Sequence, residues 1–261
     1  MGLVGTLFAR DRLLATTAVA FAAGFVIAAA ASLVDTRLIT GINPWIKPMK
    51  FLISIAIFLA SIAWFMPEFA ARARTINRLR WTIVITMIIE IVCIAGQAAR
   101  GTTSHFNDRT AFDGAIFTVM GLAITINTIA AAWLLTLMRR DTPPARAGYL
   151  WGVRLGLAVF VVGSLLGFVL VANRGHTVPG PDGGPGLPFV NWSLDRGDLR
   201  IAHFIGLHAL QALPLLGFLL DRTVVTPAAR LTTVAGVAIA WLVVTGVTLV
   251  LALAGRPLIA L

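Results

Sequence analysis

The side chains able to do chemistry are few: four histidines, His105, His176, His203 and His208, and one carboxylate, Glu90, in the middle of an apolar run. Imidazole ligates haem iron and zinc, and it passes protons near neutral pH. His203 and His208 occur as HFIGLH, a spacing that turns the second side chain about 140° from the first on a helix. They therefore do not share a face as an HxxxH zinc pair would, and one is expected to be a ligand while the other supports it. His208 falls about 12 Å beyond the start of its helix at ~1.5 Å per residue, where an ionisable group is costly unless it faces protein or water.

Glu90, Gln97 and Arg100 follow one another along a single run toward Ser104-His105-Phe106-Asn107. Glu90 and Gln97 are seven positions apart and lie nearly on one helix face, directed toward the histidines. A carboxylate buried in hydrocarbon is expected to be protonated or paired with a cation, which suits a proton relay. The plainer expectation is a hydrogen bond to Asn127 or Ser164 at similar depth.

Two cofactors fit these residue types. For haem b, His105 or His176 with His203 or His208 would be axial ligands, and Arg100, Arg174 and Arg200, with Gln97, would hold the propionates. For zinc, three of the histidines with Asp108, Asp113 or Asp198 would bind the ion. Glu90 would then be the base for a metal-activated water, with Ser104 and Asp113 completing the catalytic set. Adjacent Ser and His, an Asp and a histidine pair on a seven-helix chain resemble the alkaline ceramidase and progestin-receptor-like membrane hydrolases. HFIGLH departs from their HxxxH, and the serine and histidine are adjacent instead of spaced.

The elements that must position these groups are set by composition. Of 261 residues, 58% are apolar and 12% charged, about half the charge usual for a soluble domain. Apolar runs cover roughly 13–34, 51–66, 81–99, 114–138, 151–172, 201–220 and 231–254, against ~20 residues needed to span a bilayer. The second is short and is expected to borrow its flanks. With no period-2 alternation, the runs predict an all-α polytopic bundle of about seven transmembrane helices in one domain. The first run follows Arg10 and Arg12 and ends near Ala30-Ala31-Ser32, loosely like a signal peptide. Its length favours a retained helix.

The net charge of +10 is not gathered on one element, which argues against nucleic acid and for loops that meet lipid headgroups. The single cysteine, Cys93, excludes a disulfide framework. With the N-terminus inside and the C-terminus outside, eleven cations fall in inner segments and nine in outer ones, a weak positive-inside bias for that orientation, and a bacterial inner membrane is the expected location. Trp64, Trp81, Trp133 and Trp151 mark the inner membrane edge. Inner loops are short, basic and free of histidine. Outer segments mix Pro, Gly, aromatic, charged and His residues.

The longest outer loop, 173–200, contains PGPDGGPGLP and reads equally as lid or connector. Pro44-Trp45-Ile46-Lys47-Pro48 reads as an interfacial anchor. Gly163 and Gly167 read as a helix-packing pair, and Pro214 as a kink below His208.

Two functions compete. One is a haem- or metal-bearing protein acting on a membrane-partitioned lipid or quinone. The other is a non-catalytic transporter, sensor or accessory subunit in which Lys47, Lys50, Arg100 and Arg200 attract an anion while Glu90 couples protons. No inverted repeat with matched broken helices is visible.

Overall fold

The computed structural model describes residues 2–223 and 226–259. The chain is all-α. Its helices are α1 (Leu3–Arg10), α2 (Arg12–Val34), α3 (Ile46–Phe65), α4 (Ala73–Ala99), α5 (Ala111–Thr136), α6 (Ala147–Asn173), α7 (Leu199–Asp221) and α8 (Pro227–Leu253). Strands β1 (Thr177–Val178) and β2 (Gly197–Asp198) pair antiparallel within the long loop. Among the described residues seven helices, α2 to α8, are long and apolar enough to cross a membrane. Large apolar side chains such as Ile27 (71% exposed), Val92 (63%) and Val250 (64%) lie open on them. Lipid is the solvent that tolerates such a surface, so the chain is an integral membrane protein.

Several helices start earlier than the apolar runs, α4 at Ala73 instead of residue 81 most of all, and two differences bear on the site. Residues 3–10 form a helix of their own, α1, which ends where Asp11 takes the N-cap of α2 and accepts the Leu14 N–H at 3.0 Å. The second span begins at Ile46 instead of residue 51, because the Asn43 side chain accepts the Trp45 N–H at 2.9 Å and starts the helix early. Pro48 is tolerated there, since first-turn N–H groups need no helical partner. Lys47 and Lys50 are therefore helix residues.

Contacts divide the chain into two compact units, Met1–Pro67 with Ala71–Ala130, and Glu68–Ala70 with Ala131–Leu261. In the first, α3 packs against α2 and α4 around fully buried Leu14, Leu59, Ile62 and Ile83. An ion pair between half-buried Arg80 and buried Asp11 closes one end. Arg10 caps the same end, donating to the Trp64 carbonyl at 2.5 Å with its guanidinium over the Trp64 ring.

In the second unit α6 and α7 touch backbone to backbone along a glycine stripe. A Cβ on Gly163 would stand 2.6 Å from the Gly206 carbonyl carbon, and one on Gly217 would stand 2.0 Å from the Gly148 oxygen. The expected packing role of Gly163 holds, and the stripe extends to Gly148, Gly152 and Gly156. Asp221 at the end of α7 accepts the N–H groups of Gly148 and Tyr149 at 2.9 and 2.8 Å, satisfying the start of α6. α7 runs as one helix through Pro214, which packs against the α6 glycines.

Candidate functional site

In the first unit the polar side chains gather where α3 begins and α4 ends, at the loops assigned above to the outside. Glu90 on α4 is 4% exposed, and its Oε2 is buried without a hydrogen-bond partner among the described residues. Neither expected amide nor hydroxyl serves it. Asn127 instead takes the Thr86 hydroxyl at 3.4 Å, and Ser164 donates to the Phe160 carbonyl of its own helix. On α3, which packs against α4, the nearest cation to the loop end is Lys47 of the first turn. Lys47 Nζ in turn stands 3.2 Å from His105 Nδ1.

His105 is held by its surroundings more than by its own backbone. Phe51, Phe106 and Phe117 place their rings 5.9–6.0 Å from the imidazole. Phe106 adopts a left-handed backbone (φ 53°), a conformation a bulky residue keeps only when its neighbours fix it. The fixing is done by buried Asn107, which donates to Thr102 Oγ1 at 3.0 Å and the Thr103 carbonyl at 2.9 Å. Ser104 Oγ lies 3.1 Å from the same His105 Nδ1 that faces Lys47. An ammonium has only protons to give. The Nδ1 lone pair beside Lys47 is therefore engaged, which leaves His105 a poor base for activating Ser104.

Gln97 and Asp113, also picked out by sequence, form a separate knot. Asp113 accepts from Gln97 at 2.8 Å, from Arg100 at 2.7 Å and from Thr110 at 2.7 Å, and Arg100 also reaches Gln97. Both Asp113 oxygens are occupied, and the Asp113 N–H returns to Thr110 Oγ1 at 3.1 Å, closing the first turn of α5. Arg100 is thus committed to a carboxylate, and holding a propionate would require that pair to open.

The other three histidines belong to the second unit. His203 Nδ1 lies 2.8 Å from the Gly163 carbonyl of α6, and His208 Nδ1 lies 2.6 Å from the Phe204 carbonyl of its own helix. A carbonyl only accepts, so each Nδ1 carries the proton, and on each neutral ring Nε2 keeps its lone pair. Among the described residues neither ring makes another hydrogen bond. His176 sits in the long loop, its Nδ1 2.5 Å from Asp182. Arg200 is locked to Asp198 at 2.6 Å, and Arg174 caps α6 in a left-handed turn (φ 55°).

That loop is a hydrogen-bonded structure. Asp182 accepts the His176 and Thr177 N–H groups at 2.6 and 3.0 Å, and Arg196 donates to the carbonyls of Pro181 and Gly183 at 2.8 Å each. Burial alone would push the Asp182 carboxyl up, but the hydrogen bond and charge of His176 with the two backbone donors hold it well below the usual range. Among the described residues no group of three or more His, Cys, Asp or Glu side chains stands close enough to hold a metal ion.

Sequence reasoning missed the role of Lys47 beside His105 and the aromatic collar of Phe51 and Phe117. The early start of α3 hid the first, since Lys47 read as part of an interfacial edge. No family model matches the chain, and no curated protein or solved structure resembles it significantly.

Proposed function

We propose that the chain is a non-catalytic membrane protein of the small transporter or sensor type, linking proton uptake at Glu90 to binding of an anion at Lys47. The observation that carries this reading is that one unit holds both a cation beside an imidazole, Lys47 Nζ 3.2 Å from His105 Nδ1, and a buried carboxyl, Glu90, whose Oε2 has no hydrogen-bond partner among the described residues. A carboxylate in hydrocarbon is tolerable beside a cation or when protonated. An anion arriving at Lys47 competes for that cation, and Glu90 then takes up a proton at its open Oε2. Anion binding and proton binding thereby become reciprocal, as linkage demands. His105 and Ser104 give the proton a path to the loop end. A bacterial inner membrane, with this end outward, is the setting assumed.

The test uses proteoliposomes containing the full chain and a pH-sensitive dye, with small inorganic and carboxylate anions as probes. Anion-dependent proton movement that is lost in Glu90→Gln supports the reading. Movement unchanged in Glu90→Gln, or absent for every anion in the wild-type chain, overturns it.

A second reading is favoured by the two α7 histidines. The Nδ1–H tautomer of His203 and His208 is the one in which an imidazole ligates haem iron or zinc through Nε2. Under that reading the chain acts on a quinone or lipid. A Soret band in the purified protein, or stoichiometric zinc, would replace the transporter reading with this one.

A further inference from the structure

At the opposite end of the second unit, where α5 ends and α6 begins, an open cleft of about 350 Å³ is lined by Leu135, Met138, Trp151, Arg139, Arg140 and Arg154. Arg154 lies within the α6 span, on the stretch 144–173 that crosses the membrane. Its guanidinium bends back to the membrane edge, donating to Thr142 Oγ1 at 3.0 Å and to the Arg139 carbonyl, with the Trp151 ring 5.0 Å from its carbon. Arg140 is exposed and makes no hydrogen bond or ion pair among the described residues.

The carboxylates nearby do not cancel this charge. Asp141 offsets one cation through an exposed 3.2 Å pair with Arg139, and Glu68 is already taken by Arg146 at 2.6 Å. Three arginines against one carboxylate leave the cleft two charges positive.

We propose that this cleft binds the phosphate of an anionic phospholipid. The cations supply the donors that a phosphodiester needs, with Arg154 pre-set by its own contacts. The apolar side of the cleft, Leu135, Met138 and Trp151, lies where the acyl chain of such a lipid would start, and a free phosphate would leave that surface uncovered. Basic clefts between transmembrane helices at the membrane edge are suited to this class of headgroup.

The test is native mass spectrometry of the full chain in mild detergent, titrated with phosphatidylglycerol or phosphatidylcholine, with a large excess of inorganic phosphate as a third arm. Arg140→Gln removes an exposed cation without touching the packing, so it reads the site even if Arg154→Gln fails to fold. Expected are selective retention of phosphatidylglycerol, about fivefold weaker retention in Arg140→Gln, and no change in Arg78→Gln, an exposed cation elsewhere. Equal retention of the two lipids, or Arg140→Gln behaving as Arg78→Gln, would overturn the proposal. Displacement of the lipid by inorganic phosphate would do so as well, by making this a site for soluble anions.

Discussion

The two units meet the same difficulty, polar side chains inside hydrocarbon, in opposite ways. In the second unit the polar groups within the spans rest on backbone, His203 at the Gly163 carbonyl and the Trp241 indole on the Ile205 carbonyl at 2.7 Å, while Asp221 at a helix end takes the Gly148 and Tyr149 N–H groups as well as Arg230. In the first, Lys47 meets His105, Gln97 and Arg100 meet Asp113, and Glu90 has an oxygen with no donor among the described residues. Backbone groups do not titrate, so a neutral side chain tied to them has a partner whose protonation never changes. Side chains tied to one another can trade protons and partners. The contrast therefore separates a scaffold from a place where something can change.

The largest effect should come from the scaffold. Gly163→Leu or Gly206→Leu puts a side chain where a Cβ alone already lies 2.6 Å from the facing helix, and no rotamer relieves that. Folded protein should be lost, as read by size exclusion in detergent. Gly96→Ala on α4 is the counterpart, since nothing lies within 4 Å of its added Cβ. It should stabilise by up to about 1 kcal/mol through helix propensity. If Gly163→Leu folds normally, the backbone contact of α6 and α7 is not what holds the second unit together.

Next in size is Glu90→Gln. It should abolish anion-linked proton movement and leave the melting temperature equal or higher, because a neutral amide is cheaper than an ionised carboxylate at that depth. Lys47→Met should lower stability in the wild-type background and much less in Glu90→Gln, the signature of a coupled pair. Equal losses in both backgrounds would mean that Lys47 serves His105 and not Glu90, and the contrast between the units would narrow.

Legibility in the sequence followed the same division. The seven spans were readable because each is a long apolar run, and Glu90 because it interrupts one. The glycine stripe was only half visible: Gly163 and Gly167 form a GxxxG, yet Gly148, Gly152 and Gly156 acquire meaning only from α7 beside them. Lys47 was legible as an anion-attracting cation, but its place beside His105 was not, because that depends on the early start of α3. The PGPDGGPGLP loop looked formless because its order comes from side chains distant in the segment, Asp182 under residues 176–177 and Arg196 reaching back to residues 181–183.

That loop gives a third, smaller test. Asp182 is held on backbone N–H groups and on His176, with a carboxyl pKa below the ordinary value. Its contribution is present in full above the ordinary carboxylate pKa of ~4 and is lost as the pH falls through its lower folded value. Asp182→Asn should speed hydrogen exchange of the Thr177 amide by an amount equivalent to about 1–3 kcal/mol of local opening. The difference from wild type should hold steady from neutral pH down to that range and shrink in stronger acid. A difference that instead shrinks as the pH rises would assign the loop to the charge of His176, giving the second unit a proton-dependent element of its own.

The smallest effects test the histidines themselves. His203 links α7 to α6, so His203→Ala removes one interhelical hydrogen bond, worth about 0.6 kcal/mol in a membrane. His208 bonds only within its own helix among the described residues, so His208→Ala should leave the melting temperature unchanged. Both values are small because each imidazole is anchored by a carbonyl that can turn to other donors. If either substitution instead removes a visible absorption band or a bound metal, the free Nε2 is a ligand, and the second unit is then the chemical centre of the molecule with the first as its proton supply. The two outcomes differ in kind, a shift of at most about 1–2 °C against the loss of a spectrum, so one purification of each variant decides between them.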